Sequence, residues 1–193
     1  MKTITAFALA CCLASVPASA RAEEPERTTY VTLEQQTVLV DGEVVPAIDG
    51  TIVRTLHGPL GLYTFFYVDR AYAEAVVGPS FSPTAWLTVA LGAGVEQAEE
   101  GSWRVGGLLW MGRARWTSVT LLETGASGFW GRTEFAWRPA PWAGIGVLGD
   151  LGLGVGPRLE LRVPSLPVQI WGASLYDWKE ERPAAAFGVR LDL

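Results

Sequence analysis

Thiols, imidazoles and ammonium groups are scarce in this chain. It has 2 cysteines, Cys11 and Cys12, both inside the first apolar run, and 1 histidine, His57. Beyond that run no thiol is left for a disulfide, a metal site or a nucleophile, and one imidazole does not make a ligand cluster. Charge is thin too: charged residues are 18% of the chain and hydrophobic residues 49%. A soluble domain carries about 25% charged residues, so part of this surface is expected to face something other than water. The net charge of -5 speaks against nucleic acid, which selects basic surfaces. Lys179 is the only lysine after Lys2. Codon bias in a GC-rich genome explains this simply; the functional alternative is that arginine suits dense ion pairs, because its planar fork grips carboxylates bidentately.

Long apolar runs are also missing. After Ala20, Gly, Arg, Glu or Asp breaks every stretch well short of the roughly 18 apolar residues that mark a membrane helix. The other structure that crosses lipid with its backbone satisfied is a closed β-barrel. At the N-terminus, Lys2, the apolar run Ile4 to Leu13, Pro17 and the triplet Ala18-Ser19-Ala20 have the layout of a cleaved export signal, with the cut after Ala20. A rival reading makes Cys11 a lipid-modified terminus, since Leu9-Ala10-Cys11 resembles part of a lipobox. Residues 1–20 are therefore set aside, 21–50 are a lead-in, a first strand or a short plug, and 51–193 are the barrel.

What the chain does have is alternation. Ala73, Ala75, Val77, Pro79 and Phe81 oppose Glu74, Gly78 and Ser80; Phe129, Thr133, Phe135 and Trp137 oppose Arg132, Glu134 and Arg138; Leu159, Leu161 and Val163 oppose Arg158, Glu160 and Arg162. Leu87 to Val95 alternate in the same way. Such runs predict strands with one apolar face. Tight breaks at Pro83 to Ala85, Gly112-Arg113, Pro139 to Pro141 and Pro164 to Pro167 take turns with more polar or Gly-rich ones at Gln97 to Gly101, Thr124 to Ser127, Gly154 to Gly156 and Asp177 to Arg182. That is the rhythm of an all-β, antiparallel, up-and-down transmembrane β-barrel of about 10–12 strands, with tight turns on one side and more polar turns on the other. Strands of about 10 residues, tilted by about 40°, cover the roughly 25 Å apolar band of such barrels.

At the C-terminus Phe187, Val189, Leu191 and Leu193 alternate with Gly188, Arg190 and Asp192. The segment resembles the terminal strand of Gram-negative outer-membrane β-barrel proteins, in which the insertion machinery recognises it; that family usually ends on an aromatic residue, where this chain has Leu193. The resemblance implies an outer-membrane location, with lipid, lipopolysaccharide and the insertion machinery as partners. Trp86, Trp116, Trp137 and Trp142 fall near the tight turns and Trp103, Trp130 and Trp178 near the opposite ends, as two interfacial girdles would require.

With the apolar faces on lipid, Glu74, Arg104, Arg132, Glu134, Asp150, Arg158, Glu160, Arg162, Arg190 and Asp192 are expected to point into the lumen. Charges there must be paired or wet. They form either a structural lattice or a charged constriction that selects small solutes by sign. Gly144-Ile145-Gly146-Val147-Leu148-Gly149 has the letters of a dinucleotide fingerprint, but alternation continues through it where a helix should open, so its glycines are expected to thin a lumen-facing strand or ease a bend. Glu99, Glu100, Asp177, Glu180 and Glu181 are a solvated rim or a divalent-cation bridge to lipopolysaccharide phosphates. The leading expectation is an outer-membrane barrel with a structural or small-solute pore role, no enzyme, no cofactor and no metal. The alternatives are a lipid hydrolase built on His57, which requires a serine and an acid within hydrogen-bond reach, and a soluble secreted β-sandwich or calycin-like binding protein with the same apolar faces turned inward.

Overall fold

The structure, a computed structural model, describes residues 29–99 and 101–193. The expected export signal, the Cys11 lipidation alternative and Glu100 lie outside them. The described residues form β1 (Thr29–Val40), β2 (Glu43–His57), β3 (Leu60–Asp69), β4 (Ala73–Thr84), β5 (Leu87–Ala98), β6 (Gly101–Arg113), β7 (Trp116–Gly125), β8 (Gly128–Ala140), β9 (Ala143–Asp150), β10 (Gly154–Val163), β11 (Val168–Asp177) and β12 (Arg182–Asp192). Each strand pairs antiparallel with the next, and β1 closes on β12. Val31 and Leu193 exchange backbone hydrogen bonds where the two chain ends meet. Closure leaves no unpaired strand edge, which satisfies the backbone without help from water.

Among the described residues the first strand begins at Thr29, so of the readings left open for residues 21–50 a first strand is present, followed by the start of β2, inside which the division drawn at residue 51 falls. Gly154 to Gly156, expected as a break, opens β10; the connection is the three residues before it. The end carrying both termini, here the terminal end, also holds the turns at 58–59, 85–86, 114–115, 141–142 and 164–167. The far end holds those at 41–42, 70–72, 126–127, 151–153 and 178–181, and Glu99. All are short. The first hairpin turn places Asp41 and Gly42 at φ 52 and 78, the left-handed pair that matches strand twist.

Which face looks outward decides the class of barrel. Leu159, Leu161, Phe135 and Val189 are 61%, 56%, 43% and 40% exposed on the outside, while Arg158, Glu160 and Glu134 are buried inside. A soluble barrel or sandwich has the opposite polarity, so that alternative is excluded: an apolar coat around an ionic interior is stable only against hydrocarbon.

The barrel is flattened. In an even ring of 12 strands about 4.8 Å apart, second-neighbour strands lie about 9.3 Å from each other. Here the Cα atoms of β3 and β5, of β4 and β6, and of β9 and β11 come within 8 Å. Glycines make these two corners. A Cβ on Gly94 of β5 would sit 1.8 Å from the Ala75 carbonyl oxygen, and one on Gly156 of β10 would sit 1.8 Å from that of Ser174. In the fingerprint-like run, a Cβ on Gly146 would sit 1.7 Å from the Phe135 carbonyl oxygen of β8 and one on Gly144 would meet Glu160 Oε2 at 2.9 Å, in a strand followed by another strand.

Candidate functional site

Alternation places every inward side chain in the interior, and flattening brings the two walls together. The central group joins β8 to β1 and β12. Glu134 accepts from Arg190 at 2.9 Å and forms ion pairs with Arg132 at 2.8 Å and Arg158 at 3.2 Å. Glu34 takes Arg132 at 3.1 Å and also pairs with Arg190. Gln36 accepts from Arg132 at 2.8 Å and donates to Asp49 at 3.1 Å. Arg158 is fully buried, stacks 4.1 Å from the centre of the Trp171 ring and donates to Glu160 at 3.3 Å. Arg138 donates to the other Glu160 oxygen at 3.2 Å. Sharing carboxylates among several guanidiniums is what makes so many buried charges tolerable, since each would be costly alone.

A second group lies toward the far end, between β4 and β7. Arg104 Nε is 2.7 Å from Glu74, an ionic contact whose N–H points away from the oxygen, and its two amino groups donate to Glu96 and Glu123 at 3.0 and 3.2 Å. Tyr72, in the turn after β3, donates to Glu74 or Glu96, each at 2.6 Å. Burial, and then the carboxylates that accept from it, hold the Tyr72 hydroxyl well above the ordinary phenol range, so it remains a donor. Glycine makes room here as well: a Cβ on Gly125 would meet Glu96 Oε1 at 2.4 Å, and one on Gly106 would meet Glu123 Oε1 at 2.7 Å.

Beside these groups lies a cavity of about 1230 Å³. Turn residues of the terminal end, such as Pro59, Ala85, Pro141 and Pro167, form its mouth, and no described far-end turn residue lines it. Its lining combines the aromatic rings of Phe65, Tyr67, Trp110 and Trp130 with Arg132, Arg138, Arg162 and Arg190. Toward the far end the interior is filled on the β9 to β12 side by Leu148, Trp171, Leu175 and Ala186.

Glu74, Arg104, Arg132, Glu134, Arg158 and Glu160 are buried in these groups. Arg162 and Asp192 stand at the mouth, 3.6 Å apart. Asp150 instead accepts from the Gly152 N–H at 2.8 Å and caps its own turn. The sequence reading omitted Glu34, Gln36, Asp49, Glu96, Glu123 and Trp171. His57 is exposed at the end of β2, beside a bulge. Among the described residues no group of His, Cys, Asp and Glu is disposed to hold a metal ion.

No family model and no curated protein sequence matches the chain. Among solved structures, the KdgM porin superposes with a TM-score of 0.55 at 9% identity, over 84% of this chain and 99% of its own. The NanC porin gives 0.51 at 9% identity, over 83% and 100%. This is the fold of an outer-membrane β-barrel. Tryptophans lie on its surface near both ends. Trp137 and Trp142 are exposed near the terminal end, where Trp86 and Trp116 are half-buried, and Trp103 and Trp178 are exposed near the far end. Trp130 departs from the expected girdle. It occupies an inward position of β8, in register with Arg132 and Glu134, and packs on the Phe65 and Leu121 cluster. On β12, Phe187 and Val189 face outward, and Leu193 is exposed at the strand's end.

Proposed function

We propose that the protein is a narrow outer-membrane pore for small solutes, oriented with its terminal end toward the periplasm. The observation that carries this reading is the solvent-sized cavity, flanked by arginines and aromatic rings, inside a closed barrel whose outer surface is apolar. The KdgM porin has been solved in complex with disordered oligogalacturonate, a precedent for a barrel of this architecture accepting a hydroxylated, charged solute. On this reading the girdle tryptophans seat the barrel at the two interfaces, and Phe187, Val189, Leu191 and Leu193 present the strand that the insertion machinery engages. Exposed Glu99, Glu180 and Glu181 meet the lipopolysaccharide layer. Asp177 takes no part in that rim, because it is buried and accepts from the Lys179 N–H at 2.9 Å.

The arginine that sets selectivity is Arg162 at the mouth, not Arg158, which is sealed from the cavity. In planar bilayers the protein should conduct in discrete steps, and Arg162→Gln should lower the permeability of anions relative to cations. Protein that inserts and shows heat-modifiable migration yet carries no current under any condition, including the loosened variants below, overturns the pore reading in favour of a filled, structural barrel. No observation favours chemistry at His57.

A further inference from the structure

The cavity ends one layer below the far-end turns, and what stands between is specific. Tyr67 lines the cavity, and its ring centre lies 6.2 Å from that of Tyr72. Tyr72 belongs to the turn at 70–72 and Ser127 to the turn at 126–127; both side chains are tied to Glu96. Ser127 binds it twice, through its backbone N–H to Oε1 at 2.8 Å and its hydroxyl to Oε2 at 2.6 Å. Arg104 fastens the assembly beneath, also donating to the Ser127 hydroxyl at 3.0 Å. Elsewhere around the far end the described interior is filled by apolar packing, and the polar ties that reach a turn, Arg182 to Asp41 and to the Gly152 carbonyl and Arg70 to Glu43, are exposed contacts on the rim, so this buried ionic side is where the barrel is able to part.

We infer that Arg104, Glu74, Glu96, Glu123, Tyr72 and Ser127 form a latch that draws the two turns over the cavity and holds the pore shut on the outer side. The inference rests on the pore reading above and names how that pore is regulated. The latch is built to release as well as to hold. One guanidinium faces three carboxylates, and Glu123 Oε1, almost fully buried, has no donor among the described residues. Opening gives that oxygen and its repelling neighbours to water, while closing is maintained by the hydrogen bonds from the turns. The acids need not leave their strands; the turns need only swing outward.

The test is single-channel recording of the full chain in planar bilayers, comparing wild type with a Tyr72→Phe and Ser127→Ala double variant. Neither change removes a charge or a lattice arginine, so folding, checked by heat-modifiable migration, should persist. Each hydroxyl lost to a carboxylate should raise the open probability about tenfold, with unitary conductance unchanged because the cavity below is untouched. Thr120→Val, which removes an exposed hydroxyl on the outer face, should leave both quantities at wild-type values. Equal open probability in wild type and double variant overturns the latch and leaves the pore standing. Folded, inserted protein that passes no current in any variant overturns both.

Discussion

Leu159 offers the sharpest test of what the outer face touches. It is 61% exposed, and it lies four residues from the terminal end of the ten-residue strand β10 and five from the far end. At a rise of about 3.3 Å per residue and a tilt of about 40°, that puts it roughly 10 Å from one edge of the apolar band and 13 Å from the other, close to the midplane. Leu159→Arg should therefore cost about 2–4 kcal/mol. Leu151 has the same 61% exposure but sits in the far-end turn after β9, at interfacial depth, where the same change should cost about 0–1 kcal/mol. The measurement is urea unfolding of protein folded into phospholipid vesicles, read by tryptophan fluorescence, with Leu159→Ala to account for the lost side chain. In water, two leucines of equal exposure would tolerate arginine equally, within about 0.5 kcal/mol. A Leu159→Arg cost that small, or indistinguishable from that of Leu151→Arg, would refute the lipid-facing assignment.

Glu134→Ala strips three arginines of a shared carboxylate and should destabilise the barrel by about 3–5 kcal/mol; removal of exposed Glu180 should change the same unfolding curve by less than about 0.5 kcal/mol. Trp171→Ala takes away the surface on which buried Arg158 is stacked, at 4.1 Å, and should cost about 3–5 kcal/mol in the same assay. Gly146→Ala forces a Cβ to 1.7 Å from the Phe135 carbonyl oxygen and should prevent the heat-modifiable species from forming. Gly172→Ala, whose Cβ would meet nothing nearer than the Ala186 oxygen at 3.9 Å, should fold normally.

Class and topology were legible because period-2 alternation is a local property: Arg158, Glu160 and Arg162 share a face whatever the rest of the chain does. Glu96 was legible too, since it continues the inward series of Thr88, Ala90, Gly92 and Gly94 by one step, but the alternation was followed only to Val95. Glu123 was not. In β7 both faces mix apolar and hydroxyl side chains, Thr117, Val119 and Leu121 inward and Ser118, Thr120 and Leu122 outward, so no contrast marked the lumen side. Trp130 went astray because nearness to a strand end predicts interfacial height and says nothing of which face the ring takes. Asp49 and Glu34 were hidden in a stretch opened by strand-poor residues, and Arg132, the partner of Glu34, lies 98 positions away.

Partnerships across the lumen depend on width, which no single strand encodes. A round 12-strand barrel with strands about 4.8 Å apart and tilted by about 40° has a backbone diameter of about 24 Å. Extended arginine and glutamate side chains meeting head to head span only about 14 Å from Cα to Cα, at about 1.5 Å per bond. Arg132 on β8 and Glu34 on β1 are five strands apart around the ring, nearly opposite, yet 3.1 Å separates their charged atoms. They meet because the corners at β4–β5 and β10 fold the ring flat, corners at which Gly94 and Gly156 have no Cβ to strike the neighbouring backbone. Glycine placement, rather than strand number, thus sets the bore. The same flattening that lets the central lattice form leaves the cavity confined to the terminal side and brings the Arg104 group within reach of both far-end turns.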